Sequence, residues 1–168
     1  VSAPLKLFNW PERPAVLEAG GIALLLCELN LPRVDARQLA RKRLRELCAQ
    51  LLNSTELTET LQGPVCPTGY ISLSYAGNNL LIGLSRDVKL GVDIVAADPP
   101  PETGALTRLY LPAFSGNFAL AWAQMEACSK ALGLPLTENS RERSRQLACC
   151  KIIPCEQTDG YQIAVAVI

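Results

Sequence analysis

The chain has 168 residues, with 16 Lys and Arg against 16 Asp and Glu, and no histidine. Its 49% apolar and 19% charged residues suffice for a buried interior and exclude disorder. Zero net charge gives no support for nonspecific nucleic-acid or membrane binding, and the missing histidine excludes Ser-His-Asp and Cys-His nucleophiles and His-ligated zinc.

Residues 1–19 are punctuated by proline and read as extended or irregular, with Trp10 as a packing anchor. Gly20 to Leu29 reads as a buried strand, stopped by Pro32. Asp35 is a candidate cap for a helix running to about Leu52, with Leu39, Leu44, Leu47 and Leu51 as its apolar stripe. Residues 53–69, rich in Thr, Pro and Gly, are expected to be a loop. Tyr70 to Tyr75 and Leu80 to Ser85 read as paired strands about a turn at 76–79, and Val88 to Val95 as a third strand. Residues 97–104, with three consecutive prolines, are the best linker candidate. Phe118 to Leu132 is expected to be a helix ended by Gly133 and Pro135. Arg141 to Arg145 reads as a solvated charged stretch, followed by strands over Gln146–Ile153 and Tyr161–Ile168. This order suggests a duplicated α+β architecture, each half with one long helix and about three strands.

Seven cysteines without a C-x-x-C pair, three of them inside apolar runs, read as reduced thiols. The longest apolar run, Ile22 to Cys27, is too short to span a bilayer, and no charged-then-apolar leader is visible. The cytoplasm is therefore the expected compartment.

Three features carry possible chemistry. Trp122, Glu126 and Lys130 are spaced four apart, so they share one helix face. The plainest reading is an exposed Glu126–Lys130 ion pair, but Ala123, Ala127 and Ala131 beside it leave the helix flank narrow enough to approach another surface. In Gly91-Val92-Asp93-Ile94-Val95, alternation puts Asp93 on the face opposite Val92 and Ile94. An aspartate there is an edge residue in water or a paired or metal-bound one. A strand carboxylate and a helix carboxylate together suit Mg²⁺, which takes one or two protein carboxylates plus phosphate oxygens and water. Finally, Arg33, Arg37, Arg41, Lys42, Arg43 and Arg45 crowd the first helix and suit phosphates or a solvated face. Gly-rich nucleotide-binding motifs and the G-x-S-x-G elbow are absent.

Read together, residues 91–95 and Trp122-Ala-Gln-Met-Glu126-Ala-Cys-Ser-Lys130-Ala-Leu-Gly133 resemble the two signature blocks of the 4′-phosphopantetheinyl transferase superfamily. Leu73-Ser74-Tyr75-Ala76-Gly77 is similar to its Ser-His-Ser-Gly block, and Ala40-Arg41 to its basic first helix. The resemblance covers roughly residues 30–135 and points to the monomeric, surfactin-synthetase-type branch. It implies an α+β fold of two similar halves in tandem, residues 1–90 and 91–168, meeting near residues 86–95, with coenzyme A in the cleft between them. It also implies Mg²⁺-dependent transfer of 4′-phosphopantetheine from coenzyme A to a serine of an acyl or peptidyl carrier protein. By the family pattern Asp93 and Glu126 hold the metal, Lys130 contacts the pyrophosphate, and Ser74 and Tyr75 contact the coenzyme's phosphates. Arg41 and Arg37 would hold the 3′-phosphate.

Four positions depart from the pattern. Val95 replaces a third acidic ligand, Met125 a lysine, Tyr75 the usual histidine, and Gly63-Pro64 lacks the lysine of a Gly-Lys-Pro signature. Either Glu126 or a metal-bound water is left as the base for the serine proton. The alternative function is a catalytically weak relative that binds carrier protein or coenzyme A as a partner or regulator. A further reading is a generic α+β module. Arg108 with Leu109, Leu111 and Phe114 is the expected docking patch for an acidic carrier protein.

Overall fold

A computed structural model describes residues 3–18, 20–98, 102–111 and 117–168. The strand β2 (Ile22–Glu28) is apolar on both faces because it lies between two layers. Ala23, Leu25 and Cys27 enter a core closed by the helix α1 (Arg33–Leu51), while Leu24 enters a second core on the opposite face. Alternation along one strand thus serves two interfaces, which is why the sequence here shows an unbroken apolar run.

β2 pairs in parallel with β1 (Leu7–Asn9) and antiparallel with β6 (Asn79–Ser85), which pairs with β5 (Tyr70–Ala76). The resulting sheet has the order β1-β2-β6-β5, where β3 (Thr58–Thr60) and β4 (Gly63–Val65) form a separate hairpin. β7 (Leu90–Ala96) belongs to a third sheet. After β7 the chain forms α2 (Thr103–Tyr110), α3 (Phe118–Leu132), α4 (Arg141–Leu147), β8 (Lys151–Ile153) and β9 (Tyr161–Val167). That sheet has the order β7-β9-β8.

The core between the two larger sheets is built from Leu7, Leu24 and Leu81 on one side and Leu90, Val92, Ile94, Ile163 and Val165 on the other. A third core, almost all alanine, sets α3 on the outer face of β9 through Ala164 and Ala166. The layers run α1, first sheet, second sheet, α3: a mixed α+β protein. The amino-terminal segment crosses this division, since Leu5 bridges Cys155 and the Leu7 amide donates to Glu156 Oε2 at 2.8 Å. Trp10 is indeed an anchor, packed against the first core with the guanidinium groups of Arg13 and Arg43 at 5.1 and 5.2 Å from its ring.

Several expectations are corrected. Residues 53–69 contain the β3–β4 hairpin rather than a plain loop. The helix α1 begins at Arg33 after Pro32, leaving Asp35 in its first turn with no capping bond. Residues 141–145 are exposed as expected except for Arg143, but they form most of α4, capped by Ser140, so the strand expected over 146–153 shrinks to β8. The linker candidate over 97–104 runs into α2, which buries no residue fully. Residues 99–101 and Phe114 lie outside the described residues. Among the described residues no helix is long and apolar enough to cross a membrane. All seven cysteines are free, and burial pushes the Cys48 and Cys128 thiols up to about 12 and Cys155 to about 11.

Candidate functional site

The site begins with a glycine. A Cβ at Gly91 would stand 1.9 Å from the Ala127 carbonyl oxygen and 2.6 Å from the Ala131 nitrogen, so only glycine lets α3 lie this close to β7. Ala123, Ala127 and Ala131 supply the matching small face on the helix. Both ends of α3 are fixed: the Asn117 side chain accepts from the Leu120 amide, and Gly133 closes the helix at φ 69°.

Close approach brings the polar edge of α3 onto the strand. Two residues beyond Gly91 on the same face, Asp93 is 2% exposed, and its Oδ1 accepts from Lys130 Nζ at 2.6 Å. Lys130 also donates to the Val92 carbonyl at 3.1 Å. The expected Glu126–Lys130 pair is therefore replaced by a pair across the helix–strand contact. Glu126 instead accepts from Trp122 Nε1 at 2.9 Å, while Trp122 stacks on Phe118 and meets Tyr110 edge-on.

The first sheet contributes the remaining wall. Ser74 Oγ donates to Asp93 Oδ1 at 2.6 Å and accepts from the Ile94 amide, and Ser72 Oγ accepts from the Val92 amide at 2.9 Å. Two serine hydroxyls thus satisfy the free edge of β7, which would otherwise carry buried unpaired amides. A Cβ at Gly83 would stand 2.4 Å from Val92 Cγ1, so glycine is also what admits β7 against the first sheet.

Burial raises the pKa of Glu126, the nearby Asp93 carboxylate raises it further, and Lys130 and the Trp122 N–H partly oppose this. Two carboxyl groups converging in a part-buried place favour a proton or a cation between them. Lys130 provides one charge. The N–H and O–H donors to Asp93 fall on Oδ1 and the one to Glu126 falls on Oε1, while the two carboxyl groups also lie within hydrogen-bonding reach of each other. These are hard oxygen donors that fit Mg²⁺. No third His, Cys, Asp or Glu joins them among the described residues, and the half-buried Val95 has no donor to offer.

The other candidate residues lie apart. Tyr75, exposed, and Arg37 line a cavity of about 430 Å³ with Leu29, Leu31, Arg33 and Asn78, at the start of α1. Arg37 and Arg41 also line an open hollow of about 440 Å³ with Gln38 and Arg45. Every lining residue of both comes from residues 1–90. Arg41 is ion-paired with Glu59, and Arg43 is turned away to Trp10 and the Glu28 carbonyl. Arg108 and Leu109 are exposed on α2, Leu111 is half-buried. Ser74 is buried against Asp93 rather than open to the Tyr75 cavity. Sequence reasoning missed the bracing of β7 by Ser72 and Ser74, although the alternation Ile71, Ser72, Leu73, Ser74 carries a period-two polar row. It also missed Arg143, 5% exposed, which donates to Ser129 Oγ at 2.7 Å and for which no local pattern gives a signal.

No protein-family model matches the chain, and no curated protein matches it.

Proposed function

We propose that this chain is a 4′-phosphopantetheinyl transferase of the two-half, surfactin-synthetase-like kind, modifying a serine of an apo acyl or peptidyl carrier protein. One observation carries the reading: a strand aspartate and a helix glutamate, 33 positions apart, meet a lysine in one part-buried cluster that Gly91 makes possible. The tandem organisation is supported by two separate larger sheets, each carrying one long helix. A position for coenzyme A between the halves rests on the resemblance, since both cavities described above are lined by residues 1–90 alone.

Asp93 and Glu126 would hold Mg²⁺, which when bound supplies positive charge to the pyrophosphate. Lys130, 33% exposed at its side chain, keeps its ammonium between Asp93 and the open side, where it would bind a phosphate oxygen. Arg37 and Arg41 orient the coenzyme through its 3′-phosphate, and Tyr75 flanks it. The carrier serine oxygen forms a bond to the β-phosphorus while the bond to 3′,5′-ADP breaks. Glu126, or a water it orients, would accept the serine proton. Burial of Asp93 and the bond from Trp122 hold both carboxylates in place, so catalysis is mainly positioning and charge.

A second reading, a weak relative that binds coenzyme A or carrier protein without turnover, is favoured by the Lys130–Asp93 pair, with which a cation must compete. Incubation with coenzyme A, Mg²⁺ and several apo carrier proteins, followed by weighing the carriers, separates the two. A carrier gaining one phosphopantetheine is the expected result. Unmodified carriers with measurable coenzyme A binding would favour the second reading, and no binding at all would overturn both.

A further inference from the structure

Of the two arginines proposed for the 3′-phosphate, Arg41 and not Arg37 holds a carboxylate among the described residues. Its guanidinium grips Glu59 two-pronged, with Nη2 donating to Oε2 at 3.1 Å and Nε paired with Oε1. Nothing on α1 explains this choice. The residues three and four positions from Arg41 are Arg37, Gln38, Leu44 and Arg45, so the helix offers it two like charges and no acid. Arg41 Nη1 is buried and has no partner among the described residues, so Glu59 does not use the whole guanidinium.

Glu59 reaches Arg41 from β3, a three-residue strand exposed throughout, paired only with β4. The hairpin holds its own turn: Thr60 Oγ1 donates to the Gly63 carbonyl at 2.7 Å and accepts from the Gln62 amide at 3.2 Å. The Glu59 side chain is more than half exposed, at 55%. It can therefore leave Arg41 without unfolding the hairpin. Arg37, Gln38 and Arg45 surround the same open hollow, so an entering phosphate meets three arginines, one of them already occupied.

We propose that Glu59 is a built-in competitor for the phosphate that Arg41 binds, setting how tightly the 3′-phosphorylated coenzyme and its 3′,5′-ADP product are held. This rests on the coenzyme A reading above. An exposed carboxylate–guanidinium pair is weak, so a phosphate dianion displaces it, and the cost of displacement lowers affinity for both substrate and product. Product retaining the 3′-phosphate leaves faster in consequence.

The test is binding calorimetry of coenzyme A, dephospho-coenzyme A and 3′,5′-ADP to wild type, Glu59→Gln and Glu56→Gln. Glu56 is an exposed neighbour with no ion pair among the described residues, and its substitution removes the same unit of charge. Glu59→Gln should tighten coenzyme A and 3′,5′-ADP by about two- to five-fold and leave dephospho-coenzyme A unchanged. Glu56→Gln should change none of them by more than a fraction of that. Wild type that binds coenzyme A equally to Glu59→Gln overturns the proposal alone, as does an equal gain for dephospho-coenzyme A or from Glu56→Gln. Wild type that binds no coenzyme A overturns it together with the functional reading.

Discussion

The two long helices meet their sheets by opposite means. α1 lays Leu44, Leu47 and Leu51 on the first sheet, all 0% exposed, and turns its arginines outward. α3 lays Ala123, Ala127 and Ala131 on the second sheet, over Gly91. Leucines bury far more apolar area per residue, so the first contact is the stabilising one. Alanines stabilise less but shorten the distance, so that Lys130 reaches across to an aspartate on the strand. The chain spends bulk where it needs stability and removes it where it needs two polar side chains to touch. α3 recovers order from its capped ends and from the Arg143–Ser129 bond.

The contrast can be broken from either side. Leu47→Ala should cost about 2–5 kcal/mol in denaturant unfolding, because it opens a cavity in the leucine interface. The cluster around Asp93 should survive, so Mg²⁺ and coenzyme binding by the remaining folded protein should be unchanged. Gly91→Ala should cost about 1–3 kcal/mol or more, since backbone atoms of α3 must retreat. Unlike the leucine variant, it should abolish carrier modification even under conditions where it is fully folded. A folded, active Gly91→Ala protein would mean that close approach does not matter.

Asp93→Ala sharpens the comparison within the site. It leaves the Ser74 hydroxyl and Lys130 without their acceptor, and should cost about 1–3 kcal/mol by thermal or urea unfolding. Turnover should vanish while most coenzyme A affinity remains with the arginines of α1. The smallest effect has the opposite sign. Because burial and Asp93 raise the pKa of Glu126 in the folded state, the folded form prefers the proton. Its favourable contribution is present below the unfolded value of about 4.3 and is lost as pH rises through the folded pKa. Glu126→Gln should therefore be more stable than wild type at pH 7, with the difference shrinking toward pH 4, and inactive throughout. Urea midpoints at the two pH values check the sign.

What was legible in the sequence follows from the same physics. The bounds of α3 agree residue for residue because Asn117 and Gly133 mark both ends, and β6 and β7 show as apolar runs between turns. The α2 and α4 helices were hidden because both are short. α2 repeats Leu106, Leu109 and Tyr110 over little more than one turn after a proline run, and α4 is mostly charged and buries an arginine. Asp93, Glu126 and Lys130 were found by alternation and four-residue spacing, which are local. Their pairing was not, because which cation faces Asp93 depends on how far α3 can descend, and that is set by Gly91 against Ala127. The Arg41–Glu59 pair and the Ser74–Asp93 bond join segments 18 and 19 positions apart, beyond any local pattern.

On the proposed reading, Asp93 and Glu126 would form a Mg²⁺ site completed by the coenzyme. With two carboxylates, and Lys130 already on one, the protein alone should hold the cation weakly, whereas pyrophosphate oxygens would supply further ligands and compete with Asp93 for Lys130. Titrating Mg²⁺ calorimetrically, with and without saturating coenzyme A, reads this coupling directly. The account predicts weak binding alone and markedly tighter binding with coenzyme A, lost in Asp93→Ala. Equal affinity in both titrations, or unchanged binding in Asp93→Ala, would contradict it.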